Sequence, residues 1–385
     1  MNEKVRVGII GMGNMGRYHA DYLREGKVDR CELTAVCSTS PEKLESYQPL
    51  AIYSDGHALI ASEQVDAVLI ATPHYQHAEL GIAALEAGKH IMVEKPIAAH
   101  KADAERLIAA AEARPELVFG AMFQLRTEPR YQTIKRLIDN GELGDLVRMS
   151  WIITDWYRTE AYYQSSAWRA TWKGEGGGVL INQCLHNLDS LCWLLGSPKK
   201  VRAFCQLGRY HDIEVEDTVT AYLEFDNGMN GVFVSSSGEA PGSNRFEIAG
   251  TRGKLVLEND RIAFTRNEVS MIDHCQTSKI GFMKPDAWQC EVPFSDSPAQ
   301  HATLMENFVG AILDGTPLIA PGSDGMSSIE LANAALYSSL TDASVDMPLD
   351  SAAYEAKLNE LIAGSTHQKQ VKQVSSEDFA KSFNK

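Results

Sequence analysis

The stretch Val5-Arg-Val-Gly-Ile-Ile10 runs directly into Gly11-Met-Gly-Asn-Met-Gly16, and a helical pattern follows from Arg17 to Glu25. The first six residues form a short apolar run, which predicts a buried strand. Glycines at this spacing let the chain turn tightly, bring its backbone close to a pyrophosphate and pack the next helix against the strand. The order of strand, glycine turn and helix therefore predicts a dinucleotide-binding unit, whose cofactor turn is formed by Gly11, Met12, Gly13, Asn14, Met15 and Gly16.

The same alternation continues to about residue 123 and predicts one Rossmann domain over residues 1–123. Short apolar runs such as Ala67-Val-Leu-Ile-Ala71 alternate with helical patterns, as in βαβ units whose parallel sheet is covered by helices on both faces. Ser40 followed by Pro41 predicts the start of a helix. The other expected strands of this doubly wound parallel sheet are Leu33–Cys37, Ala67–Ala71, His90–Val93 and Leu117–Ala121.

A different pattern begins at residue 124 and predicts a second, α+β domain over residues 124–345. Helical stretches and a long polar and aromatic loop precede a series of alternating or β-branched runs, which favour an antiparallel or mixed sheet packed on helices. We expect strands at Val201–Gln206, Thr218–Phe225, Met229–Ser235, Arg245–Ile248 and Lys254–Val256, and helices at Thr303–Leu313 and Ser327–Leu340. Residues 346–385 are expected to be a C-terminal extension that ends in a mobile polar tail from Ser365.

Composition excludes several classes of function. The 385 residues carry a formal charge of -15, so a general nucleic-acid or anionic-membrane surface is not expected, and small molecules are the expected partners. Seven scattered cysteines without a C-x-x-C pair indicate reduced thiols and a cytoplasmic protein. No His or Cys spacing of the kind that binds zinc is present, so we expect no metal site.

Two loops directly after predicted parallel strands are candidates for ligand binding, because open α/β sheets bind ligands at the carboxyl ends of their strands. The first contains Thr72, Pro73 and His77, and the second is Glu94-Lys95-Pro96. At the end of the second strand, Cys37-Ser38-Thr39 offers neither the acid typical of NAD sites nor the arginine typical of NADP sites. Ser38 can still bind a ribose hydroxyl, so we expect NAD and leave NADP open.

The chain resembles the glucose-fructose oxidoreductase / inositol dehydrogenase / MocA (Gfo/Idh/MocA) family over residues 4–345. The resemblance implies an N-terminal Rossmann domain, a C-terminal domain with a large open sheet often used for dimer or tetramer contacts, and a nicotinamide cofactor. It is carried by Gly11–Gly16, by Ala71-Thr72-Pro73 with His77, by Glu94-Lys95-Pro96, and by Gly176-Gly-Gly-Val-Leu-Ile-Asn182-Gln-Cys-Leu-His186.

The resemblance also implies roles for individual residues. Lys95 matches the family's lysine at the hydroxyl that is oxidised, and His186 matches its usual proton-transfer histidine. Asn182 stands where the family often has aspartate. The resemblance also implies that four residues lie near the cofactor: Glu94 in the loop that carries Lys95, Gln124, Trp168 and Arg169.

The residues themselves support a shared catalytic face. Asn182 and His186 are four residues apart on a predicted helix, so we expect them on one face, with Asp189 orienting the imidazole of His186. Oxidation of a secondary alcohol needs a group that polarises the hydroxyl and a base that removes its proton. We expect Lys95 to polarise the hydroxyl, His186 to accept the proton and Asn182 to hold a neighbouring hydroxyl.

The segment from Asp155 to Trp172 is rich in aromatic and hydrogen-bonding residues and suits a sugar or cyclitol. Tyr157, Arg158 and Tyr163 are its candidate substrate residues, although the same aromatics could instead pack a domain interface. The expected function is NAD(P)-dependent hydride transfer between nicotinamide and a secondary hydroxyl of a sugar, sugar derivative or cyclitol. Two alternatives stay open: an NAD-dependent glycosidase that uses transient oxidation, elimination, hydration and reduction, and a non-catalytic redox sensor.

Overall fold

The computed structural model describes residues 4–40, 44–295 and 300–372, and it contains two sheets. The first sheet has six parallel strands in the order β3-β2-β1-β4-β5-β6. These are β1 (Val5–Ile10), β2 (Cys31–Cys37), β3 (Ala51–Tyr53), β4 (Ala67–Ile70), β5 (His90–Val93) and β6 (Phe119–Ala121). Helices α1 (Asn14–Arg24), α2 (Gly56–Ile60), α3 (Tyr75–Glu86) and α4 (Lys101–Glu112) connect them, which confirms the predicted Rossmann sheet.

The second sheet has nine strands in the order β14-β13-β12-β11-β7-β10-β9-β8-β15. Within the described part of this second sheet, β7 and β10 form the one parallel pair, and all other neighbours are antiparallel. The predicted mainly antiparallel sheet is therefore confirmed. Its strands are β7 (Leu146–Ile153), β8 (Lys200–Leu207), β9 (Glu216–Glu224), β10 (Asn230–Ser236), β11 (Asn244–Gly250), β12 (Gly253–Glu258), β13 (Arg261–Asn267), β14 (Ala287–Val292) and β15 (Val345–Asp346).

Helices cover one face of the second sheet and join it to the first. Buried side chains of α10 pack on β8 and α7, and Lys101 at the start of α4 donates its backbone N–H to Asn333 of α10 at 2.9 Å. The helices of this part are α5 (Pro129–Asp139), α6 (Glu160–Gln164), α7 (Leu185–Leu195), α8 (Met271–Thr277), α9 (His301–Asp314), α10 (Gly325–Thr341) and α11 (Ser351–Gly364).

Several parts of the sequence differ from expectation. The helix predicted to start at Pro41 falls on residues outside the described ranges, and after them only a 3₁₀ turn, Glu45–Tyr47, is present. Five strands were not predicted: β7, in the middle of the second sheet, and the strands β3, β13, β14 and β15. The extension after residue 345 contains helix α11, which buries Tyr354 and Leu358. Of the mobile tail expected from Ser365, the described part up to residue 372 is held by hydrogen bonds of Ser365 and Lys372, and the rest lies outside the described residues.

The division into domains at residues 123 and 345 stays a prediction. In the described part of the chain, no helix combines the length and the apolar character needed to cross a membrane.

Candidate active site

The glycine turn after β1 leaves an open groove above the start of α1. Gly11 has φ +99°, and a Cβ there would lie 2.6 Å from the carbonyl oxygen of Ala71, so only glycine fits. Gly13 has φ -73°, and a Cβ there would meet no heavy atom within 4 Å. Because α1 begins at Asn14, the free N–H groups of its first turn face this space, which fits the phosphates of a dinucleotide.

Two neighbouring strand-end loops are tied together by one histidine. The Nδ1 atom of His77 lies 2.6 Å from the carbonyl oxygen of Pro96, and its Nε2 atom lies 2.7 Å from that of Thr72. Burial lowers the pKa of His77, so the neutral ring can donate only one of these hydrogen bonds at a time. The loop after β4 therefore has a fixed position relative to the loop after β5. The buried hydroxyl of Thr72 has no partner among the described residues and is available to a ligand.

Glu94 anchors the loop after β5 to helix α1. Its Oε1 atom lies 2.6 Å from Nε2 of His19, whose Nδ1 atom is 2.7 Å from the hydroxyl of Tyr22. Burial alone would raise the pKa of Glu94, but the hydrogen bond and charge of His19 outweigh burial and lower the pKa to about 2. Glu94 is thus an ionised carboxylate that fixes the loop carrying Lys95.

Lys95 connects the Rossmann part to the segment before α7. Its Nζ donates to the backbone oxygen of Asn182 at 2.8 Å and lies 3.3 Å from the side-chain Oδ1 of Asn182. Burial of the ammonium group lowers the pKa of Lys95 to about 8, although the carboxylates of Glu94 and Glu175 oppose this shift. At neutral pH the lysine can therefore exchange a proton, as an acid or base catalyst must.

Glu175 is a site residue that the sequence did not reveal. Its side chain is buried, one carboxylate oxygen accepts a hydrogen bond from Nδ2 of Asn182, and the other accepts from the backbone N–H of Ala170. Burial raises the pKa of Glu175, while the charge of Arg169 opposes the shift. The hydrogen bond to Glu175 orients the amide of Asn182 so that its Oδ1 faces Lys95.

His186 lies beside Gln124. Its Nε2 atom is 3.3 Å from Nε2 of Gln124, and its buried Nδ1 atom has no partner among the described residues. Burial, followed by the charge of Lys95, lowers the pKa of His186 well below its usual value, so the imidazole is neutral. His186 can therefore hold a substrate hydroxyl but is a weak base.

Two expectations about this region were wrong. Asn182 does not share a helix with His186, because α7 begins at Leu185 and Asn182 lies in the preceding turn. Asp189 does not orient the imidazole of His186. Instead its two oxygens accept hydrogen bonds from Arg126 at 2.6 and 2.9 Å, and Arg126 also reaches Asp324 at 2.6 Å.

The pair of Arg126 and Asp189 allows a test of stability. Their side chains are 4% and 1% exposed, so Asp189→Ala leaves a buried guanidinium whose one remaining carboxylate partner among the described residues is the partly exposed Asp324. We expect the free energy of unfolding to fall by about 3 kcal/mol, measured by urea denaturation. The control is Asp139→Ala, which removes the half-exposed partner of Lys135 and should cost at most about 1 kcal/mol. Equal losses in both variants would contradict the structural role of Asp189.

In the aromatic segment, the side chain next to Asn182 is that of Tyr162 and not that of Tyr163. The hydroxyl of Tyr162 lies 2.7 Å from Nη1 of Arg169, 3.1 Å from Nε2 of Gln183 and 3.5 Å from Nδ2 of Asn182. Tyr163 is buried, and its hydroxyl is 2.7 Å from that of Ser237.

The remaining predicted residues lie at the edges of the site. Tyr157 is 47% exposed, and the ring of Trp168 packs edge-on at 5.3 Å from that of His74 beside the loop after β4. Ser38 uses its hydroxyl to accept the N–H of Ser40 at 3.1 Å. Within the described ranges, no group of three or more His, Cys, Asp or Glu side chains is arranged to hold a metal ion.

Known proteins share both parts of this architecture. Residues 5–121 match the family model described as "Oxidoreductase family, NAD-binding Rossmann fold", and residues 131–256 match the "GFO/IDH/MocA C-terminal domain". The chain is 30% identical to scyllo-inositol 2-dehydrogenase (NAD(+)) of Bacillus subtilis over 275 residues, which is 67% of this chain and 75% of that protein. It is 27% identical to inositol 2-dehydrogenase of Rhizobium meliloti over 345 residues, which is 87% of this chain and 96% of that protein.

A solved structure is similar across both parts. The WlbA dehydrogenase of Bordetella pertussis, in complex with NADH and UDP-GlcNAcA, superposes with a TM-score of 0.76 and is 25% identical. The alignment covers 90% of this chain and all of that one.

Proposed function

We infer that this protein, which belongs to the GFO/IDH/MocA oxidoreductase family, oxidises a secondary hydroxyl of a sugar, sugar derivative or cyclitol with NAD. The observation that carries this proposal is the contact between Lys95 and Asn182, since it joins a strand-end loop of the dinucleotide-binding sheet to the segment before α7. The relatives named above are inositol dehydrogenases, which supports a polyhydroxylated substrate. Because they carry dehydrogenase names, the glycosidase alternative is not favoured.

In the proposed mechanism, bound NAD supplies the acceptor of the hydride. Lys95 takes the role of the acid and base, because its pKa of about 8 lies near neutral pH, whereas the pKa of His186 lies well below its usual value. This revises the expectation that His186 accepts the proton. Neutral Lys95 removes the hydroxyl proton, His186 holds the same oxygen or its neighbour, and Asn182 fixes the position of the lysine amine.

The proposal is tested on the protein as purified. Mass spectrometry should identify a retained NAD or NADP, and a panel of inositols and sugars should then give NADH in proportion to the polyol consumed. Tight NAD binding without turnover across the panel would favour the redox sensor, and an absence of pyridine nucleotide binding would refute the proposal.

The pKa of Lys95 predicts how activity depends on pH. Below a pH of about 8 the lysine is protonated and cannot accept a proton, so we expect kcat/KM for oxidation to rise with pH and level off above about 8. The reverse reduction needs the protonated lysine and should fall over the same range. Lys95→Arg, which stays protonated, should remove this inflection. A single inflection below pH 6.5 that is still present in Lys95→Arg would indicate that His186, and not Lys95, transfers the proton.

The second sheet also supports a homo-oligomer, either a dimer or a tetramer. Its uncovered face carries exposed apolar side chains on adjacent strands, a feature typical of protein interfaces. These are Ile152 on β7, Phe204 on β8, Tyr222 on β9 and Val232 on β10, between 38% and 60% exposed. Phe204→Glu should shift the mass measured by light scattering towards the monomer, and a monomeric wild type would contradict this proposal.

A further inference from the structure

Two arginines meet on one aromatic ring beside the proposed reaction centre. The Cζ atom of Arg169 lies 4.5 Å from the ring centre of Tyr162, and that of Arg158 lies 5.2 Å from the same centre. Both arginines are half-buried. Tyr162 is also next to Asn182, whose Oδ1 faces Lys95.

Most hydrogen-bond donors of these arginines are unused. Arg169 donates through Nη1 to the hydroxyl of Tyr162, and Arg158 donates through Nη1 to the carbonyl oxygens of Trp156 and Tyr157. Across the ranges that the structure describes, the Nε and Nη2 atoms of both side chains have no protein acceptor, and neither arginine forms an ion pair with a carboxylate. A guanidinium presents five N–H donors in a fork that matches an oxyanion, so Arg169 has donors for a substrate anion in addition to the cofactor contact that the resemblance implies.

Several positive charges lie around Tyr162, although the whole chain carries -15. Lys95, Arg158 and Arg169 are close enough to influence one another, because the charges of both arginines help to lower the pKa of Lys95. Glu175 offsets part of this charge, but its carboxylate is already committed to Asn182 and to the backbone of Ala170.

A fourth cation reaches the same place from the C-terminal end of the described chain. The described segment after α11 is held at Ser365 and Lys372, because Ser365 donates its hydroxyl to the carboxylate of Glu214 and the N–H of Lys372 donates to the carbonyl oxygen of Gln164 at 2.9 Å. Between these contacts lies the half-buried Lys369. Burial lowers the pKa of Lys369, and the charges of Glu175 and Glu160 oppose that shift. The segment therefore brings its ammonium group to the edge of the site.

We propose that the substrate carries an anionic group, a carboxylate or a phosphate ester, and that Arg158 and Arg169 bind it against Tyr162. This inference rests on the proposed oxidation of a polyol and adds the charge of that substrate. The anion fills the unused donors of the two guanidinium groups and relieves the repulsion among the cations. The contacts from Arg169 through Tyr162 to Asn182 and Lys95 then set the spacing between the anionic group and the hydroxyl that is oxidised.

The experiment compares matched substrates with the NAD-loaded protein. Steady-state kcat/KM is measured for neutral sugars and cyclitols, for the uronic acids that correspond to the sugars, and for the phosphate esters of both. We expect an anionic series to be preferred by at least about 10²-fold, because a charge-assisted contact discriminates strongly against a partner that lacks it. The preferred series identifies the anion as a carboxylate or a phosphate.

Variants test which residues cause the preference for anionic substrates. Arg158→Gln and Arg169→Gln should each reduce the ratio of anionic to neutral kcat/KM by at least about tenfold, whereas Arg266→Gln should leave it unchanged. Arg266 is the matched control because it also stacks on an aromatic ring, Trp288, near the far edge of the second sheet. A merely structural role of Arg158 or Arg169 would lower both activities together and keep the ratio.

The outcomes separate this inference from the proposed function. If neutral polyols are oxidised as well as their acids and phosphates, or if the ratio is the same in the arginine variants, the anion site is refuted and the dehydrogenase stands. If no polyol yields NADH, calorimetric binding of glucuronate and glucose 6-phosphate decides. Binding that is weakened in Arg169→Gln but not in Arg266→Gln supports the anion site, and equal or undetectable binding refutes it.

Discussion

Replacing Lys95 by alanine is expected to lower kcat for alcohol oxidation by at least about 10²-fold while NAD binding stays intact. The ammonium group is the part of the side chain that donates to Asn182, and a lysine whose pKa is about 8 is suited to exchange the hydroxyl proton. Stopped-flow measurement of NADH formation gives kcat, and titration of the dinucleotide gives its dissociation constant.

Two further variants sharpen this prediction. Lys95→Met keeps the length of the side chain and should lose as much activity as the alanine variant, since the amine rather than the packing is required. Lys27→Ala removes an exposed lysine paired with Glu25 and should leave kcat unchanged. Near-normal turnover in Lys95→Ala would remove Lys95 from the catalytic role.

Gly13→Val is expected to weaken NAD binding by at least about 10²-fold without unfolding the protein. A Cβ at Gly13 would meet no heavy atom within 4 Å beyond its chain neighbours, and the φ of -73° suits any residue, so we expect the fold to accept a side chain there. The valine instead fills the groove above the first turn of α1, where a pyrophosphate would approach the backbone N–H groups. Each lost charge-assisted hydrogen bond costs about 1.5–3 kcal/mol, and two such losses exceed a hundredfold change in affinity.

The control is a glycine of the same turn that has a structural task. A Cβ at Gly16 would collide with the carbonyl oxygen of Gly11, so Gly16→Ala should lower the thermal unfolding temperature as well as NAD affinity. Gly13→Val should keep the wild-type unfolding temperature when both proteins are free of dinucleotide. Wild-type NAD affinity in Gly13→Val would place the cofactor elsewhere.

Much of the first sheet could be predicted because its strands are buried on both faces. All four residues of β4 are buried, and a strand of this kind appears in the sequence as an uninterrupted apolar run between helical patterns. Strand β7 was missed because it mixes buried residues such as Met149 and Trp151 with partly exposed Arg148 and Ser150, and its partners β10 and β11 lie about 80 to 100 residues further along the chain.

The sequence predicted residues of the candidate site but not the contacts between them. Lys95, Asn182 and His186 were identified from motifs, and their contacts place Lys95 on Asn182 and His186 beside Gln124. No sequence pattern pointed to Glu175, which stands between Gly174 and Gly176 as a single acid in a glycine-rich loop. A carboxylate becomes a site residue only when folding buries it against Asn182.

By itself, the sequence determined the dinucleotide turn, because the need for Gly11, Gly13 and Gly16 arises from backbone geometry within a few residues. It also determined the alternation of strands and helices in most of the first sheet, because burial on both faces produces continuous apolar runs. Only the tertiary structure decided the side-chain partners: Asp189 pairs with Arg126, and Asn182 donates to Glu175. The physical reason is that pKa values and ion pairs depend on burial and on groups brought together from distant parts of the chain, which no local pattern encodes.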